Sequence, residues 1–137
     1  MTKEKKLILW FSEVEIKDVP LVGGKNAALG EMYGNLIPLG INIPNGFAIT
    51  AYAYREFINK TGLRNKIRGM LRGLNTHNMK DLQRRGGAVR SAILESELPE
   101  NLREEVKKAY EKLGKIYFRN PDVAVRSSAT AEDLPGA

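Results

Sequence analysis

Two adjacent glycines and a lysine, Gly23-Gly24-Lys25, stand between an apolar run ending near Phe11 and a segment in which Ala28, Leu29 and Met32 recur at helical spacing. That pattern predicts a helix from about Lys25, stopping near Gly34-Asn35, where glycine and asparagine favour a left-handed cap and Pro38 prevents much continuation. A helix start of this kind attracts anions. Free backbone N–H groups and the positive dipole end face outward, Gly23 and Gly24 let a ligand approach the backbone closely, and Lys25 adds a full charge. The spacing is not that of a P-loop, because four residues and a second glycine do not precede the lysine and no Ser or Thr follows it. Taken alone, the spacing favours a glycine turn followed by a lysine in solvent.

The rest of the composition narrows the chemistry. With 137 residues and an apolar share of 42%, the chain suits one compact domain with a real core. It has no cysteine and a single histidine, His77, which excludes disulfides, thiolate sites and a structural zinc and leaves oxygen ligands for any metal. The apolar run Leu7–Phe11 is too short for a signal segment or a membrane span, so a soluble, cytoplasmic protein is expected. The net charge of +6 is concentrated between Ala51 and Leu98. From Arg64 to Arg90, the basic residues Arg64, Lys66, Arg68, Arg72, Lys80, Arg84, Arg85 and Arg90 are opposed only by Asp81. Such a patch suits an anionic partner such as RNA, but it lacks aromatic side chains to stack on bases and matches no nucleic-acid-binding signature. A solvated helical face is expected instead.

In chain order, Lys6 to Phe11 reads as a strand, Ser12 to Val19 as connecting chain and Pro20 as a turn. Pro44-Asn45-Gly46 turns into a second short strand, Phe47-Ala48-Ile49, and Thr50 is placed to cap a helix carrying Ala51, Tyr54, Phe57 and Ile58 that Gly62 closes. Leu63 to Leu74 has a helical stripe weakened by Gly69 and Gly73. Asn78 caps the next helix, with Leu82, Val89, Ala92 and Ile93 as its buried face and Gly86-Gly87 as a point of interruption. The last helix carries Leu102, Val106, Ala109, Tyr110 and Leu113 on one side, with Glu104–Lys108 and Glu111–Lys115 as favourable pairs and Gly114 as its cap. Asn120-Pro121-Asp122 then turns the chain into Val123-Ala124-Val125, which reads as a buried strand.

That strand delivers the second chemical feature, Arg126-Ser127-Ser128-Ala129-Thr130. An arginine held at a strand end offers a planar fork to phosphate oxygens, and short hydroxyls beside it add donors. The same residues also read as an arginine paired with Glu132 or Asp133 and hydroxyls capping a turn. A serine nucleophile is not indicated, since neither a G-x-S-x-G elbow nor an S-x-x-K pair surrounds Ser127 and Ser128.

Together, Val22-Gly23-Gly24-Lys25-Asn26-Ala27-Ala28-Leu29-Gly30-Glu31-Met32, Pro44-Asn45-Gly46-Phe47-Ala48-Ile49-Thr50 and Ala124-Val125-Arg126-Ser127-Ser128-Ala129-Thr130-Ala131-Glu132-Asp133-Leu134-Pro135 resemble the N-terminus of the phosphoenolpyruvate synthase family. Leu9-Trp10-Phe11 and Asp18-Val19-Pro20-Leu21 add to the likeness, and pyruvate phosphate dikinase and the rifampin phosphotransferases are looser relatives. The resemblance implies an α+β fold: the helix-rich first subdomain of an ATP-grasp-like nucleotide-binding domain, with a short mixed sheet flanked by about four to five helices. It implies ATP as ligand, with Lys25 and Arg126 as phosphate contacts, Arg126 acting in catalysis, and Gly23, Gly24, Ser127 and Ser128 beside the phosphates. It also implies magnesium, with ligands outside this chain.

In the family, phosphoryl transfer runs from ATP through a histidine of a swivelling domain to pyruvate, giving phosphoenolpyruvate, AMP and phosphate. The partners implied are therefore ATP, the second half of the ATP-grasp domain, and the phosphohistidine and pyruvate-binding domains. His77, in Asn75-Thr76-His77-Asn78, matches no family histidine motif and is expected in a surface loop. Gly136 stands where many relatives have an acidic residue. The alternative from another class is a stand-alone, non-catalytic module using the basic 64–90 stretch on an anionic partner such as RNA.

Overall fold

The structure is a computed structural model and describes residues 1–131. Its regular elements are β1 (Ile8–Trp10), α1 (Val19–Val22), α2 (Gly24–Leu36), β2 (Phe47–Ile49), α3 (Ala51–Lys60), α4 (Leu63–Met70), α5 (Met79–Glu95) and α6 (Glu100–Tyr117). They make an α+β chain in two compact units, one of Met1–Tyr54 with the chain from Glu100 onward, the other of Arg55–Pro99.

In the first unit, β1 and β2 pair antiparallel with Leu9 opposite Ala48 and Trp10 opposite Phe47. Alternation along a strand then sorts the side chains. Leu9 and Ala48 turn into a core with Val14, Val22 and Ala27. On the other face the Trp10 and Phe47 rings stand 5.4 Å apart, and the Lys112 ammonium from α6 lies 4.8 Å above the Trp10 ring. Thr50 ends β2 and begins α3 at once: its Oγ1 donates to the Lys6 carbonyl at 2.7 Å and accepts from the Ala53 N–H at 3.1 Å.

The stretch from Ser12 to Val19 is more ordered than a plain connection. Two single 3-10 turns, Phe11–Glu13 and Ile16–Asp18, bury Val14 and Asp18. Pro20 lies inside the first turn of α1 rather than breaking the chain, a position where its missing N–H costs no hydrogen bond. Helix α2 likewise runs past Gly34-Asn35 to Leu36, and Pro38 enters a further 3-10 turn, Ile37–Leu39, before Gly40 closes it at φ +80°.

The second unit is built by short-range signals. Gly62, at φ +72°, reverses the chain between α3 and α4. Phe57, Ile58, Leu63 and Ala92 form its core, with Ile67, Met70 and Ile93 packed around. Helix α4 ends at Met70, short of Leu74, and Gly73 follows at φ +69°. Asn78 caps α5 by accepting from the Asp81 N–H at 3.2 Å. That helix passes unbroken through Gly86 and Gly87, since interior glycines weaken a helix without forbidding it.

Three expectations fail at the far end. Gly114 does not cap α6, which continues to Tyr117; it is instead the point where the returning chain crosses the helix, and a Cβ there would lie 3.7 Å from Pro121 Cδ. The ion pairs on α6 are Arg103–Glu100 at 3.9 Å and Lys107–Glu104 at 3.8 Å, at i,i+3 spacing. Val123-Ala124-Val125 is not a buried strand: the chain there is extended but has no ladder partner among the described residues, and Val125 is 92% exposed. A strand needs a neighbour to satisfy its backbone, so the sheet described is the antiparallel pair alone.

Candidate functional site

Helix α2 is the element that positions the site. The chain reaches it from α1 through Gly23, whose φ of +82° is open to glycine at little cost. Asp18, at the entry to α1, is 6% exposed and accepts from the Lys3 ammonium and from the Glu15 N–H, the latter at 2.8 Å. Burial alone would raise its pKa. The Lys3 ammonium and the Glu15 N–H outweigh that and hold the carboxyl below the usual value. Gly30, two turns into α2, presses against the chain before α1, since a Cβ there would lie 2.5 Å from the Val14 carbonyl oxygen.

Against the first turn of α2 the structure lays the segment around Ser128. The Gly24 N–H donates to the Ala129 carbonyl at 3.3 Å and the Asn26 N–H to Ser128 Oγ at 3.4 Å, while the Gly23 N–H donates to Val19 O at 2.8 Å. A Cβ added at Gly23 would lie 2.2 Å from Ser128 Oγ and 2.9 Å from the Ala129 carbonyl oxygen. The glycine therefore admits a close approach, but of chain to chain. Three N–H groups that a helix start leaves open to an anion are here taken up by Val19, Ala129 and Ser128.

Two residues beyond Gly23, Lys25 is exposed; two residues before Ser128, Arg126 is exposed, as is Ser127. Because a residue spans at most about 3.6 Å, both cations emerge near one end of α2. The structure thus joins Gly23, Gly24 and Ser128, and brings the backbones carrying Lys25, Arg126 and Ser127 to the same place. Glu132 and Asp133, considered above as partners of Arg126, lie outside the described residues, as do Leu134, Pro135 and Gly136.

Asn26 is a participant that the spacing did not single out. Its Nδ2 donates to the Val22 carbonyl at 3.0 Å, tying the end of α1 to α2 while its N–H meets Ser128. The only local sign of it is an amide side chain four residues after the last residue of a short helix, a reach that such side chains make often.

The other polar features lie apart. A concavity of about 540 Å³ in the first unit is lined by Lys6, Trp10, Glu13, Lys108 and Lys112 among others, and holds none of the residues just named. There Glu13 pairs with Lys6 at 2.6 Å and accepts from the Trp10 N–H at 2.9 Å; burial would raise its pKa, but Lys6 and that N–H bring it below the usual value. In the basic stretch of the second unit, Asp81 holds Arg84 at 2.8 Å and Arg85 at 3.0 Å. Arg85 also donates to the carbonyls of Met70 and Arg72, closing the end of α4. His77 is exposed in a turn, as expected. Among the described residues no three carboxylates or imidazoles gather to hold a metal ion, and no helix is long and apolar enough to cross a membrane.

With the N–H groups of the helix start occupied, what this end of α2 offers a ligand is side chains: an exposed lysine in the first turn and an exposed arginine on the facing loop, two cations suited to an anion. In comparison with known proteins, residues 19–137 match the pyruvate phosphate dikinase, AMP/ATP-binding domain, and the chain belongs to that family. It is 55% identical over 136 residues to the phosphoenolpyruvate synthase of Aquifex aeolicus, covering 98% of this chain and 16% of that protein. It is 51% identical over 140 residues to the phosphoenolpyruvate synthase of Synechocystis, covering 98% and 17%. With the phosphoenolpyruvate synthase of Escherichia coli it shares 39% identity over 131 residues, covering 96% and 16%. The chain thus spans about one-sixth of the length of these relatives.

Proposed function

We propose that this chain is the N-terminal part of a phosphoenolpyruvate synthase and supplies phosphate-facing side chains to its ATP site. The observation that carries the proposal is the seating of the Ser128 loop on the first turn of α2, which brings Lys25 and Arg126 to one end of that helix. Lys25 offers a compact charge and Arg126 a planar fork. Both offset the charge that builds on phosphoryl oxygens during transfer, which is most of what a protein contributes to this chemistry. Ser127, exposed beside them, adds a hydroxyl donor, and Gly23 and Gly24 shape the backbone on which these groups rest.

The overall reaction is ATP, pyruvate and water giving phosphoenolpyruvate, AMP and phosphate, with a histidine of another domain carrying the phosphoryl group between ATP and pyruvate. The remainder of the ATP site, the phosphohistidine domain and the pyruvate-binding domain are the partners this requires. Magnesium belongs to the same proposal, as an ion whose ligands lie outside this chain. The same proposal places the protein in the cytoplasm.

The test is ATP binding to the full-length synthase by titration calorimetry. Lys25→Ala and Arg126→Ala should each weaken ATP by roughly ten- to a hundredfold, the scale of a hydrogen bond to a charged group, and leave adenosine nearly unaffected. Wild-type ATP affinity in both variants would remove the proposed roles.

A further inference from the structure

We infer that Ser128 is a positioning residue: it seats the loop carrying Arg126 against the first turn of α2, using the hydroxyl that would otherwise be offered to a phosphate. This rests on the proposal that Arg126 contacts ATP. The segment after α6 has no strand partner among the described residues, so nothing of the sheet fixes where it runs. Among the described residues, hydrogen bonds pin it at two places instead. Near its start the Tyr110 hydroxyl donates to the Pro121 carbonyl at 3.1 Å. At its end Ser128 and Ala129 accept from the Asn26 and Gly24 N–H groups, and the bare Cα of Gly23 makes room for them.

Between the pins, Val123 and Val125 are exposed, as are Arg126 and Ser127. Arg126 is two residues from the second pin and five from the first, so the position of its backbone depends chiefly on the second. The two hydrogen bonds of that pin are long, and among the described residues the hydroxyl of Ser128 is its side-chain part. Removing the hydroxyl weakens the pin, with the Ala129 carbonyl as its remaining hydrogen bond among the described residues, and leaves the Asn26 N–H without its acceptor. Arg126 then samples a wider range of positions before it meets a phosphate, and the ordering cost appears in the affinity.

A positioning role and a direct contact differ in how Ser128 and Arg126 combine. ATP affinity is measured by calorimetry on the full-length synthase for wild type, Ser128→Ala, Arg126→Ala and the double variant, with melting temperatures recorded alongside. Ser128→Ala should weaken ATP roughly fivefold, the scale of a lost helix cap. On the Arg126→Ala background the same change should cost nothing further, because a loop with no arginine has nothing left to position. A full Ser128→Ala penalty on that background would mean that Ser128 touches the nucleotide itself and would overturn the inference alone. So would a lower melting temperature with ATP affinity unchanged, the mark of a merely structural cap. Wild-type affinity in Arg126→Ala is a separate result: it removes the proposed role of Arg126, and the inference with it.

Discussion

Helices α2 and α5 begin in opposite ways. Helix α5 starts on Asn78, which caps the N–H of Asp81, three residues on. Helix α2 starts on a glycine and takes its side-chain cap from Ser128, 102 residues away. The first arrangement is complete within one turn of sequence and stabilises a helix wherever it lies. The second exists only when the distant loop is in place, and it ties the helix start to the residues beside Arg126. A local cap serves the helix; a borrowed cap serves the site.

The sharpest way to break this contrast is Gly23→Ala. The change places a side chain at φ +82° and a Cβ 2.2 Å from Ser128 Oγ, so strain and overlap add. We expect a loss of about 3 kcal/mol, read as a lower midpoint in urea unfolding. An unchanged midpoint would mean that the Ser128 loop does not rest on α2 in solution.

Asp18→Ala should come next, at about 2 kcal/mol, because it leaves the Glu15 N–H and the Lys3 ammonium without their acceptor at the entry to α1. Its pH dependence has a definite sign. The folded pKa lies below the ordinary 3.8, so the contribution is present above that value and disappears as pH falls through the folded pKa. The difference in stability between wild type and Asp18→Ala should therefore shrink on acidification below about pH 4; a difference that grows there would contradict the ion pair.

Asn78→Ala should have the smallest effect, about 1 kcal/mol, confined to α5 and read by faster amide exchange in its first turn. Protection lost around Gly24 in this variant would show that the two helix starts are not independent.

What was legible in the sequence follows the same division. Gly62 and Asn78 act within a few residues of themselves, as Thr50 does in capping α3, and the structure places each as its local chemistry requires. Gly23-Gly24-Lys25 and Arg126-Ser127-Ser128 were legible as chemistry, because glycine, lysine and arginine announce an anion. Their mutual packing was not, since no local pattern says that Ser128 would occupy the N–H of Asn26. Val123-Ala124-Val125 misled for a related reason: β-branched residues specify an extended chain, and only a partner makes it a strand. Gly114 misled because a glycine near the end of a helical pattern is read as a stop, whereas here it clears the path of Pro121. Pro20 and Pro38 misled in the opposite sense, since each falls in a first turn, where proline is tolerated.

The distance between Asn26 and Ser128 also sets an order of events during synthesis. At about 5 to 20 residues per second, a ribosome makes the 102 residues that separate them in roughly 5 to 20 seconds. For that interval the first turn of α2 exists without its partner loop, while α4 and α5 can already close on each other, since each needs only its neighbours in sequence. The Ser128 loop thus meets α2 only after α4 and α5 are able to form, and a nascent chain paused before Arg126 would hold those helices while the first turn of α2 still lacked its cap.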